Sequence, residues 1–254
     1  MNPVLKVRDV CLSYHTLSGE TPALSHISFD LMPGEFLSIV GPSGCGKSTL
    51  LNLIAGLLTP EHGSITLGGR PVSSGSAAVG YMLQKDHLLE WRSIYKNILL
   101  GLEIRKELTP EKLAHAEALL QTYGLDRFRD ARPSQLSGGM RQRAALIRTL
   151  VLEPELLLLD EPFSALDYQT RLNVSDDIGK SSKAPANLRS WSLTISQSHQ
   201  HGRPGTDPSA RPATVRKIID IDLDISDRTP LSSRNAPDFK KYFNIIWKEL
   251  NENA

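Results

Sequence analysis

Cysteine is scarce: Cys11 and Cys45 are the only two in 254 residues and stand far apart, which argues against a disulfide framework and points to a reducing compartment. An excess of charge of either sign is also missing. Lys+Arg number 29 against 28 Asp+Glu, a formal net charge of +1, so no broad field recruits nucleic acid or an anionic membrane surface, and any partner has to be recognised locally. No run approaches the roughly 18 apolar residues of a membrane-spanning helix. Met1-Asn2-Pro3-Val4 carries no basic leader followed by an apolar core. The chain is expected to be soluble. Its 254 residues can bury a real core as one large α/β domain, or one domain with an inserted subdomain, and are cramped for two separate functions.

What is present is organised around Gly41-Pro42-Ser43-Gly44-Cys45-Gly46-Lys47-Ser48-Thr49, a glycine, four residues, then Gly-Lys-Ser. The apolar run Phe36 to Val40 precedes it and Leu50 to Gly56 follows, which is the strand, loop and helix setting a phosphate-binding loop needs. Glycines let the backbone turn tightly and aim successive N–H groups at one anion, and the new helix adds its positive end. Polyphosphate belongs there, with Lys47 on the outer phosphates as a point charge and the Ser48 hydroxyl in a magnesium shell.

Ahead of this loop, residues 4–14 and 27–40 alternate in polarity around the turn Met32-Pro33-Gly34-Glu35, predicting a small antiparallel sheet before a parallel core. Tyr14 closes the first segment, either as a ring that stacks on adenine or as a plain strand-ending tyrosine. Gly63 to Gly69 and Ala77 to Leu83 read as further strands, the second ending at Gln84, where a glutamine either reaches metal or water in a cleft or is merely solvated. Residues 94–124 read as helical. One helix covers Tyr95 to Lys106, and a second opens on Thr109-Pro110-Glu111, carries Leu113, Ala116, Leu120 and Tyr123 on one face and can end at Gly124. This block predicts an inserted helical subdomain.

Leu136-Ser137-Gly138-Gly139-Met140 then leads into a helical run from Arg141 to Leu152, a second loop of small residues before a helix. Glu155 to Leu159 has the continuous apolar character of a strand buried on both faces, and Asp160-Glu161 follow at its carboxyl end. Asp160 is placed to hold magnesium, and Glu161 to orient and deprotonate an attacking water.

Taken together, residues 4–178 resemble the ATP-binding subunit of an ABC transporter. Gly41 to Ser48 match the first nucleotide motif, Gln84 the Q-loop, Leu136 to Gly139 the signature, Leu156 to Glu161 the second nucleotide motif and Ser164-Ala165-Leu166-Asp167 the D-loop; Met140 stands where the family usually has glutamine. The resemblance implies a phosphate-loop NTPase fold of class α/β with a parallel core sheet, an antiparallel β-subdomain and an inserted helical subdomain. It divides the chain into 1–85 and 153–230 as core and β-subdomain, 86–152 as helical and signature subdomain, and 231–254 as a closing helix. It implies ATP and Mg2+ as cofactors, with Tyr14, residues 41–49 and the signature's Ser137, Gly138 and Gly139 on nucleotide. Ser48, Gln84 and Asp160 would hold the metal, and Glu161, Lys47 and Gln84 would carry catalysis. It also implies a second ATP-binding subunit, membrane permease subunits, an indirectly engaged solute-binding protein and a peripheral place on the cytoplasmic membrane face. Leu88 to Ser93 resembles the segment found in importers for nitrate, sulfonates and taurine.

One part of the pattern breaks. The family carries another buried strand ending in a histidine for the γ-phosphate, expected near Leu193 to His199, yet residues 181–210 hold seven serines and one acid, with only Trp191, Leu193 and Ile195 in strand alternation. A divergent loop using His199 or His201 is one account. A shifted reading frame is the sharper one: Arg189 to Ser196, encoded as CGA TCC TGG TCA CTC ACG ATA TCT and read from the third base, spells ILVTHDI. Taken as they stand, these residues predict a lost core strand and slow hydrolysis. Val215 to Asp227 reads as an edge strand with one wet face, and the segment from Pro237 as a closing helix with Phe239, Phe243, Ile246 and Leu250 on one side.

Overall fold

The computed structural model describes residues 2–17, 19–72, 78–161, 190–197, 212–223, 233 and 235–251. The chain forms two compact units, Met1–Gly75 with Ser175–Ala254, and Ser76–Val174.

The first unit is built on a seven-stranded sheet whose strands lie in the order Phe36–Val40, Ser190–Gln197, Ala213–Ile221, Gly19–Leu31, Leu5–Thr16, His62–Leu67 and Arg70–Pro71. β1 (Leu5–Thr16) and β2 (Gly19–Leu31) form a long antiparallel hairpin, extended by β4 (His62–Leu67) and the short β5 (Arg70–Pro71). Period-two alternation drives it: Leu5, Val7, Leu24, Ile27, Ile65 and Leu67 turn inward and are buried. β3 (Phe36–Val40) feeds α1 (Lys47–Ile54), whose Leu50, Leu53 and Ile54 are buried.

β8 (Ser190–Gln197) pairs parallel with β3, Phe36 opposite Ser190 through Val40 opposite Thr194, and antiparallel with β9 (Ala213–Ile221). The expected loss of a strand here is therefore overturned. Alternation of Trp191, Leu193 and Ile195 with serine and threonine suits a pleated strand, and β3 and β9 each present backbone groups that only another strand can satisfy. β9 lies between β8 and β2, so it is no edge strand, and it stops at Ile221. His199, His201 and residues 181–189 lie outside the described residues. α5 (Phe239–Asn251) closes the unit: Glu249 pairs with Arg216 and Lys217 on β9, and the Asp222 N–H donates to the Tyr242 hydroxyl. Phe239 and Phe243 of its expected apolar face are exposed and stack at 6.3 Å.

The second unit pairs β6 (Val79–Met82) parallel with β7 (Leu156–Leu159). Its helices are α2 (Ile94–Arg105), α3 (Pro110–Thr122) and α4 (Gly138–Leu150). Ser93 and Thr109 cap α2 and α3 by accepting from the N–H groups of Lys96 and Lys112, contacts worth about 1 kcal/mol each. Ile94, Ile98, Leu102, Leu120, Leu125 and Leu146 are fully buried among them. α4 starts three residues earlier than the sequence reading placed it, because Ser137 is itself the cap and draws Gly138 and Gly139 into the first turn.

Candidate active site

The phosphate loop lies in the first unit. Its geometry follows from two glycines in left-handed backbone, Gly44 at φ 76° and Gly46 at φ 96°. Gly46 is doubly constrained, since a Cβ there would sit 3.0 Å from Leu24 Cδ2 and 3.1 Å from the Ala23 carbonyl oxygen. As the cap of α1 it offers no side-chain acceptor, so the helix's first N–H groups stay directed at the loop's interior. Lys47 folds back over the loop, its Nζ donating to the carbonyls of Gly41 at 2.9 Å and Pro42 at 2.8 Å. Cys45 is buried beneath it, while Pro42, Ser43 and Ser48 are exposed. Tyr14 lies beside this loop, its hydroxyl 3.0 Å from Thr49 Oγ1 and its ring part-exposed.

The acid pair and the Q-loop glutamine lie in the second unit. β6 and β7 run parallel and end together, so Gln84 and Asp160-Glu161 emerge at the same carboxyl ends, and the Asp160 N–H donates to the Met82 carbonyl at 3.0 Å. Gln84 Nε2 donates to Glu161 Oε2 at 2.8 Å. Glu161 takes a left-handed backbone at φ 47°, an uncommon state for a glutamate that costs about 1 kcal/mol and aims its side chain back towards Gln84. Burial, with the Asp160 carboxylate adding to it, pushes the Tyr81 hydroxyl up to about 12. Ser164 to Asp167 lie outside the described residues.

The signature loop belongs to this unit too. Ser137 Oγ accepts from the Met140 N–H at 3.3 Å, and Ser137 is exposed.

Several residues that the motif reading passed over organise these groups. Asn97, fully buried, donates to the carbonyls of Leu89, Arg92 and Ser93 and accepts from the Leu89 N–H at 2.8 Å, which fixes the segment after Gln84. Arg148 donates to the carbonyls of Asp86 and His87; burial lowers its guanidinium's pKa, opposed by the neighbouring Asp86. Arg141 reaches both Asp86 and the Leu136 carbonyl. The available signal was polar residues at apolar helix positions, Asn97 inside α2 and arginines seven apart on α4.

The ABC transporter family profile matches residues 24–164, more than half of the chain. This chain belongs to the ABC transporter ATP-binding family. YtlC, an ABC transporter ATP-binding protein of Bacillus subtilis, is 41% identical over 251 residues, 97% of this chain and 95% of that one. The taurine import ATP-binding protein TauB of Rhizobium johnstonii is 47% identical over 169 residues, 66% of this chain and 64% of that one. The fold resembles that of the dimeric ATP-binding cassette MJ0796 in its post-hydrolysis state with ADP and Pi, with a TM-score of 0.68 at 23% identity, covering 86% of this chain and 99% of that one. The expected α/β cassette fold and ATPase class hold. Among the described residues no helix is long and apolar enough to cross a membrane.

Proposed function

We propose that this chain is the ATP-hydrolysing subunit of an importer for a small solute of the nitrate, sulfonate and taurine type. In this reading it binds permease subunits at the cytoplasmic membrane face and works as one of two cassettes in a homodimer. The observation that carries the reading is the Gln84–Glu161 hydrogen bond, which joins the loop facing a permease to the group that activates water. The importer class is supported by Leu88 to Ser93 and by the 47% identity to TauB. Trp91 is 72% exposed just beyond that loop, and a groove of about 200 Å3 lined by Tyr81, Leu100, Gly101, Ile104 and Leu152 suits an apolar side chain from a permease helix.

ATP then lies on Gly41 to Thr49 with its adenine against Tyr14, and Lys47 exchanges the carbonyls of Gly41 and Pro42 for the outer phosphates. Ser48 on the phosphate loop and, separately, Gln84 and Asp160 at the ends of β6 and β7 carry oxygen donors of the kind a small hard cation takes, the Gln84 amide nitrogen being the atom that bonds Glu161. Those oxygens would hold Mg2+, which would supply positive charge against the phosphates. Glu161 accepts the proton of the attacking water as the water's oxygen joins the terminal phosphorus and the bond to the bridging oxygen breaks, leaving ADP and phosphate. Ser137, Gly138 and Gly139 meet the partner cassette's nucleotide.

The test compares ATP turnover of the purified chain with that of Glu161→Gln, expected to be slower by about a hundredfold or more with ATP binding retained. Equal rates would mean that catalysis is already gone, the outcome expected if no histidine follows β8. Peptide masses across residues 180–211 decide that point: a strand ending in Thr-His-Asp restores the full mechanism, whereas masses of the present sequence leave binding with slow hydrolysis.

A further inference from the structure

One guanidinium in the second unit touches two motifs at once. Arg141, in the first turn of α4, donates Nη1 to the Leu136 carbonyl at 2.9 Å, at the entrance to the signature loop, and Nε to Asp86 Oδ2 at 3.1 Å, two residues beyond Gln84. Asp86 in turn accepts the Leu88 N–H on its other oxygen at 3.2 Å, so its carboxylate has a fixed orientation. Both side chains are about a third exposed, 34% for Arg141 and 28% for Asp86, so the pair is partly shielded from water. The next residue, His87, is held at φ 45°, and Arg148 pins the carbonyls of Asp86 and His87 from two turns along the same helix. The backbone from 86 to 88 is thus bound to α4 at several points, and Gln84 at its start grips Glu161.

We infer that Arg141 and Asp86 are positioning residues that tie the signature loop to the Gln84–Glu161 pair, so that a nucleotide seated on Ser137 to Gly139 sets the orientation of the base serving the chain's own nucleotide. The inference rests on the proposed two-cassette reading, in which those two nucleotides are different molecules. The physical basis is that a planar guanidinium with donors in a fixed fork transmits the displacement of one acceptor to the other, whereas a lysine ammonium at the same place holds only one. When the signature loop closes on a phosphate, the Leu136 carbonyl shifts with it, Arg141 carries Asp86, and Gln84 re-aims the Glu161 carboxylate. Arg148 holds the same backbone without reaching the signature loop, and so it separates support from coupling.

The experiment uses the full chain with Mg2+ and ATP. In Arg141→Gln, kcat should fall about tenfold and the Hill coefficient for ATP should drop towards one, while KM stays within about twofold. Asp86→Asn should give the same losses, and the double variant should be no worse than either single one. Arg141→Lys should recover stability but not cooperativity. Arg148→Gln should lower Tm yet retain the wild-type Hill coefficient. Multiplicative losses in the double variant, or a Hill coefficient that Arg141→Gln leaves unchanged, would overturn the inference. Amide hydrogen exchange supplies a readout independent of turnover: residues 86–89 should exchange at least about tenfold faster in Arg141→Gln without nucleotide, and unchanged exchange would sink the tie itself. Failure of wild type to bind or hydrolyse ATP would instead count against the proposed function, while the exchange result still decides whether the tie exists.

Discussion

Two loops of this chain place glycines at the mouth of a helix, and they leave their backbone donors in different states. At the phosphate loop the cap of α1 is Gly46, left-handed and without a side-chain acceptor, so no cap side chain takes up the helix's first N–H groups, and Lys47 bonds to the loop's own carbonyls. At the signature loop the cap of α4 is Ser137 in extended backbone, and its hydroxyl already accepts from Met140. In the proposed reading the first loop holds an anion without help from a capping side chain. The second satisfies its Met140 donor internally, and in the proposed reading its serine and glycines would add donors only to a phosphate brought to them.

The sharpest break of this contrast is Lys47→Ala, expected to cut turnover by about a hundredfold or more and to abolish ATP binding in a fluorescent-nucleotide titration. Gly46→Ala should do nearly as much and also destabilise the fold by about 1–3 kcal/mol, because the left-handed backbone and the contacts to Leu24 and Ala23 both resist a methyl group; normal nucleotide binding would show that the loop does not depend on this geometry. Ser137→Ala should lower turnover about tenfold and stability by about 1 kcal/mol, while moving the nucleotide affinity of the single chain less than twofold. Equal loss of affinity in Ser137→Ala and Lys47→Ala would erase the distinction between the loops. Tyr14→Ala should weaken nucleotide binding about fivefold or more through lost stacking, with Tyr14→Phe close to wild type despite losing the bond to Thr49.

A smaller effect tests the packing beneath the acid pair. Folding raises the Tyr81 pKa from 10.0 to about 12, so the folded chain holds that proton more tightly than the unfolded chain. Its contribution to stability is complete below pH 10 and is lost as pH rises through about 12. The urea midpoint of wild type should therefore fall more steeply over that range than that of Tyr81→Phe.

The motif pattern that identifies the family was legible in the residues because phosphate chemistry demands particular types at particular spacings. Glycines are needed where the loop turns left-handed, a lysine where phosphate charge gathers, and carboxylates at the end of an apolar strand. Asp86, Arg141 and Arg148 were not legible in these roles, since Arg141 and Arg148 reach Asp86 across 55 and 62 positions of sequence, and Asn97 showed only as a polar residue inside a helix, not as a partner of the backbone at Leu89 to Ser93. β8 was misjudged for a related reason. Its alternation is too weak to identify a strand alone, and pairing partners on both sides, β3 and β9, make it one.

Sequence alone sufficed for the family, for the glycine loop ahead of α1, for the acid pair after β7 and for the Thr109 cap of α3, because local backbone conformation acts over a few residues. Only the tertiary structure decided that Gln84 grips Glu161, that Arg141 spans from the signature loop to Asp86, and that β9 is an interior strand. Those outcomes depend on which acceptors the folded chain leaves within reach of a donor, and hydrogen bonds between residues 77 or 55 positions apart leave no periodic trace in the sequence.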